Sequence, residues 1–154
     1  MRTDDVLHMD IRRAYAGPGR AYVYVLCSKR SNVLYVGQTN DTGGVCARLA
    51  GHLGENGTFR VRLRERRGVE INEVDDLELF AFALPAQPEY TSRDEVYREG
   101  VEYCVQSLLH TVSGRWQPHF YIISNIQAPM TTAYPEIISL GAEIFETLKT
   151  LYQS

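Results

Sequence analysis

The sequence predicts an α+β fold: a small three-stranded antiparallel sheet flanked by helices, with an additional C-terminal helix. Three observations point to it. Two Tyr- and Val-rich runs, residues 21–27 and 33–38, are separated only by the polar stretch 28–32, which reads as a hairpin. A third apolar run, residues 77–84, is closed by Pro85 and Pro88, residues that a central strand does not tolerate. Most of the remaining chain carries helix signals. At 154 residues and 44% hydrophobic content, the chain has the size and core of one ordinary domain.

The elements follow in order. Residues 1–20 form an N-terminal arm or short helix that ends in the loop Gly17-Pro18-Gly19. After the hairpin, a loop over 39–44 leads to a helix over about 45–53. Residues 54–57 break it, and 58–67 form a short basic helix. Ser92, with Glu95 three residues on, makes a capping box for a helix that runs to about residue 111. Residues 114–119 turn, and 120–123 are a short apolar strand or loop. Pro135 suits the first turn of a last helix over 135–151. Its apolar positions, among them Ile137, Ile138, Ile144, Phe145 and Leu148, exceed one stripe, so one part covers the sheet and another is available for a homodimer contact. A domain over 21–126 with a helical extension over 127–154 packed on it is the expected organisation.

Composition narrows the function classes. The net charge of −3 argues against a general polyanion binder, but the charge is uneven. Residues 24–68 hold eight basic and three acidic side chains, a local excess of five positive charges that leaves the rest of the chain at −8. Such a chain still presents a basic face to phosphates. Three cysteines, Cys27, Cys46 and Cys104, are too few and too widely spaced for a disulfide framework or a short-spaced zinc site. They read as free thiols in a reducing compartment. The acidic first ten residues lack the apolar segment of a secretory signal, and no apolar run approaches a membrane span. The expectation is a cytoplasmic protein with no membrane role.

The chemistry-bearing residues gather in the first half. Tyr22-Val23-Tyr24 is followed, ten residues on, by Tyr35-Val36-Gly37-Gln38-Thr39, and the next helix carries Arg48 and His52. Side chains 22, 24 and 26 share one strand face. In a hairpin, the phenols of Tyr24 and Tyr35 converge at one end of the sheet. Arg48 and His52, four apart, project from one helix face. Gly37 lets the chain pass close to a substrate or a neighbouring side chain.

This order resembles the GIY-YIG nuclease superfamily over roughly residues 21–126, most clearly in the first half. Tyr24 falls on the tyrosine of the first motif, and Tyr35, Val36 and Gly37 fall on the second, with valine replacing isoleucine. Arg48 and His52 fall on the helix pair, Glu102 on the metal glutamate and Asn125 on the terminal asparagine. Tyr22 stands where the first motif has glycine, and the loop 41–45 and the gap from Glu102 to Asn125 are long for the simplest members.

The resemblance implies a metal-dependent endonuclease hydrolysing phosphodiester bonds, in DNA ahead of RNA. Tyr24 would serve as base or water-positioner, Tyr35 would position water or phosphate, and His52 would relay a proton. Arg48 would hold nonbridging oxygens. Mg²⁺ on Glu102, with Mn²⁺ able to substitute, would polarise the phosphate. Glu99, one turn earlier, is the substitute ligand, and Gln106 would line the same cleft. The basic run from Arg60 to Arg67 would supply a phosphate-contacting edge or merely a solvated helix. A targeting protein partner fits the acidic remainder. The alternative is a noncatalytic nucleic-acid-binding or protein-interaction member of the same fold. An unrelated α+β interaction protein would leave Tyr24, Arg48 and Glu102 scattered.

Overall fold

A computed structural model describes residues 19–116, 119–125 and 127–153. Most of the expected N-terminal arm, residues 1–18, lies outside the described residues. Two strands, β1 (Tyr22–Ser28) and β2 (Val33–Thr39), form the antiparallel hairpin, with Tyr24 opposite Gly37 and Leu26 opposite Tyr35. Asn32 closes the turn at a positive φ of 54°, a conformation asparagine tolerates better than most residues. Two ten-residue helices follow, α1 (Gly44–Leu53) and α2 (Thr58–Arg67). Then come β3 (Glu78–Ala83), a single turn α3 (Pro88–Thr91), the long helix α4 (Val96–Val112), β4 (Tyr121–Ile122) and α5 (Pro135–Gln153).

The sheet has four strands in the order β3-β1-β2-β4, not three. The added strand is the 120–123 segment, which sequence left open between strand and loop. It runs parallel to β2, with Tyr121 N–H donating to Asn32 O at 2.7 Å and Ile123 N–H to Leu34 O at 2.9 Å. Its register then lapses. Val36 N–H, the next donor along β2, goes to the Ser124 hydroxyl at 3.2 Å. Beyond that point no strand pairs with this edge of β2 among the described residues.

Strand alternation sorts β1 and β2 into two cores. Val23, Val25, Cys27, Leu34 and Val36 pack with α4 and α5, where Trp116 lies between Phe120, Phe145 and Tyr152. Tyr22, Tyr24, Leu26, Val33 and Tyr35 pack with Val45 of α1 and with Phe59 and Leu63 of α2. The central strands are therefore buried on both faces, which their unbroken apolar sequences allow. On the second helical layer, α5 crosses α4 closely, because a side chain at Gly141 would overlap Cys104.

The capping box expected at Ser92 and Glu95 does not form. Ser92 ends α3 and Glu95 precedes α4 without a side-chain cap. The reason is Arg98, which is completely buried. Its Nη1 donates to the carbonyls of Tyr90 at 2.8 Å, Ser92 at 2.8 Å and Asp94 at 3.1 Å. One buried side chain from the first turn of α4 thus gathers three carbonyls of the connection that precedes it.

Candidate functional site

The hairpin register decides where Tyr24 goes. Its ring lies across Gly37 on the neighbouring strand, and a Cβ at that position would sit 2.5 Å from the phenol Cζ. The close approach expected of Gly37 is thus to a neighbouring side chain. This directs the Tyr24 hydroxyl toward α1, where it lies 2.5 Å from His52 Nε2 and accepts from Arg48 Nε at 3.3 Å. One turn of helix separates Arg48 from His52, so one hydroxyl reaches both. Tyr35 meets the edge of the His52 ring at 4.8 Å between centroids and that of Phe59 at 5.8 Å. Arg62 of α2 covers Tyr35 from outside, 5.6 Å from its centroid.

Electrostatics follow from this packing. Burial, aided by the charges of Arg48 and Arg62, pushes His52 down to about 4, so the imidazole is neutral at pH 7. Arg48 only donates, which leaves the Tyr24 O–H free to donate to a neutral Nε2. Burial also holds the Tyr24 and Tyr35 phenols above their ordinary range, against the pull of Arg48 and, for Tyr35, of Arg62. Glu102, reaching toward this group from α4, is pushed up to about 8, chiefly by burial and then by the neighbouring charge of Glu99. Arg48 and Arg62 oppose that shift without reversing it. The Glu102 Oε1 accepts from Gln106 Nε2 at 2.9 Å.

Glu102 and Asn125 line opposite walls of a cleft of about 350 Å³, with Glu99, Tyr103, Gln106 and Gln127. Asn125 accepts from Arg66 Nη2 at 2.8 Å, while Arg66 Nη1 reaches the Ser124 carbonyl at 3.4 Å. Tyr24, Tyr35, Arg48, His52 and Glu102 therefore lie close enough to influence one another, and Asn125 joins through the shared cleft. Trp116 lies in the opposite core, not at this site.

The expected metal chemistry is corrected. Among the described residues no group of three or more His, Cys, Asp and Glu side chains is placed to hold a metal ion. Glu99 shares the cleft wall with Glu102, but no third ligand among the described residues joins the two carboxyls, and Glu102 Oε1 is engaged by Gln106. Glu95 is engaged instead with Gln38 and Arg98. The expectation of Mg²⁺ or Mn²⁺ on Glu102, and with it the metal-dependent endonuclease, lacks its ligand set.

Two features had weaker sequence signals. Within the basic run, only the structure distinguishes Arg62, over Tyr35, and Arg66, on Asn125, from the rest. Arg98 was not singled out, although it lies three residues before Val101 and seven before Val105, on the buried face of α4. Its Nε donates to Gln38 Oε1 at 2.8 Å, and the Gln38 amide in turn reaches Glu95 at 3.2 Å. Arg98 thereby fixes the end of the second tyrosine strand.

The ion pairs formed among the described residues are Arg30–Asp75, Arg64–Glu70, Arg98–Glu95 and Lys149–Glu146. None of them involves Arg48, Arg62 or Arg66. No protein-family model, curated protein or solved structure matches this chain.

Proposed function

We propose that the chain is a noncatalytic nucleic-acid-binding domain of GIY-YIG-like fold that holds a phosphodiester backbone with the arginines around its tyrosine cluster. One observation carries this reading. Arg48, Arg62 and Arg66 are oriented by neutral groups, namely a phenol hydroxyl, an aromatic face and an Asn amide with a backbone carbonyl. Among the described residues none of the three has a carboxylate in ion-pair contact. Their orientation is set without a contact ion pair among the described residues, and guanidinium groups held that way suit bidentate phosphate contacts. The ordered Tyr24, Tyr35, Arg48, His52 pattern supports the fold relationship, and the local positive excess of residues 24–68 supports the ligand class.

The test is fluorescence anisotropy of labelled single-stranded DNA, duplex DNA and RNA, each titrated over a range of salt concentrations. Three phosphate contacts predict a slope of log K against log salt of roughly −2 to −3, and Arg62→Ala or Arg66→Ala lowers its magnitude by about 0.7–0.9. Absence of binding at low salt, or a slope that neither variant changes, would refute the proposal.

A further inference from the structure

The proposed nucleic-acid reading leaves the concave part of the site without a ligand. Phosphate does not suit it: the cleft between α4 and residues Asn125, Gln127, Ala128 and Pro129 has Glu99 and Glu102 in its wall, and Arg48, Arg62 and Arg66 are not among its lining residues. Its other polar walls are amides. Gln106, Asn125 and Gln127 each carry both a donor and an acceptor, and Tyr103 contributes an aromatic ring. Gln106 is almost wholly buried, and its Oε1 has no hydrogen-bond partner among the described residues. The oxygen itself is closed off from the cleft, so the groups that present acceptors and donors to a ligand are Glu99, Glu102, Asn125 and Gln127. At about 350 Å³ the cleft is near the lower end of ligand pockets, roughly 300–1,000 Å³.

We infer, resting on the proposed nucleic-acid function, that this cleft takes an unpaired nucleobase bearing an exocyclic amine, and that the ligand is single-stranded rather than duplex nucleic acid. A base is neutral, so a wall that offers no Lys or Arg to a phosphate still accepts its amine hydrogens on the carboxyl oxygens of Glu99 and Glu102. A base in a duplex is stacked and cannot enter a concave site without leaving the helix. The path beyond the cleft suits a continuing strand. A second depression of about 420 Å³ shares Asn125 and Gln127 with the first and adds Arg66 and His110. Next in sequence to two residues of that depression, Arg66 and Ile122, stand Arg67 and a 56% exposed Tyr121, with the Arg67 guanidinium 4.0 Å from the Tyr121 ring centroid. Alternation of aromatic rings with arginines is how single strands are held, by stacking and by backbone charge together.

The experiment uses labelled dodecamers of dA, dC and dT, a duplex of equal length, and the corresponding RNAs. They are titrated against the full chain and its Tyr103→Ala, Gln127→Ala and Arg62→Ala variants, each checked for an unchanged thermal melt. Single-stranded dA and dC bind about tenfold or more tighter than duplex, and dT binds severalfold weaker than either. Tyr103→Ala loses about tenfold on dA and dC and leaves duplex binding unchanged, whereas Arg62→Ala weakens every probe. 2-Aminopurine placed in the strand changes its fluorescence on binding to the parent chain and not to Tyr103→Ala. If duplex binds as tightly as single strands, or dT as tightly as dA and dC, or if Tyr103→Ala binds like the parent, the base cleft is refuted while the phosphate-binding function stands. If no probe binds, both readings fall together.

Discussion

Replacing Glu102 by Gln separates the consequences of its burial from everything else in the site. The carboxyl is raised from an ordinary 4.5 to about 8, mainly by burial. A carboxyl with a higher pKa folded than unfolded binds more protons folded. The stability linked to it is complete below the unfolded value and is lost as the pH rises through the folded one. His52 runs the other way: lowered from 6.5 to about 4, it favours the folded state more as the pH rises from about 4 to 6.5. The two slopes oppose each other over the lower part of the range, so the parent chain changes little there. Above 6.5 only Glu102 continues, over about 1.5 pH units, worth at most about 2 kcal/mol and less with partial solvent access. Glu102→Gln keeps an acceptor for Gln106 Nε2 and has no charge to desolvate. Urea unfolding followed by the fluorescence of Trp116, the sole and buried tryptophan, measures both proteins at several pH values. The variant gains on its parent by about 1–2 kcal/mol between about pH 6.5 and 8, and gains in the same direction below that. A difference between the two that stays constant from about pH 5 to 8 would refute the burial assignment.

Two further substitutions test the scaffold beneath the site. Gly37→Ala forces a methyl into the Tyr24 ring and costs about 1–3 kcal/mol, seen as a lowered melting temperature; an unchanged melt would show that the ring does not lie across the strand. Arg98→Met removes the donor for the carbonyls of Tyr90, Ser92 and Asp94 and costs about 3–5 kcal/mol in urea unfolding. A loss under 1 kcal/mol would mean, on the same scale, that water replaces the guanidinium there.

The hairpin and its two faces were legible because β1 and β2 are apolar at nearly every position, and the odd and even residues simply go to opposite helical layers. Arg48 and His52 were legible through their four-residue spacing on one helix. Other features depended on partners that the local pattern does not reveal. Ser92 and Glu95 have a good local capping pattern, but Arg98 supplies hydrogen bonds that override it. The parallel pairing of Tyr121 with Val33 joins segments almost ninety residues apart, which no local pattern announces. Glu102 illustrates the limit most clearly. Its place in the site followed from the motif order, whereas its protonation depends on desolvation and on Glu99, and its capacity for metal depends on how many other ligands converge.

The two margins of the sheet differ in how they meet other chains. On the β2 side, a short parallel partner and the Ser124 hydroxyl occupy part of the border. On the other side β3 has only β1 as a strand partner among the described residues, and its six residues, Glu-Leu-Phe-Ala-Phe-Ala, carry one charge. A weakly charged border with no second strand among the described residues invites hydrogen bonding to another copy. Aggregation of this protein on heating or concentration will therefore start at β3, and a lysine at the exposed Ala81 is the smallest guard against it.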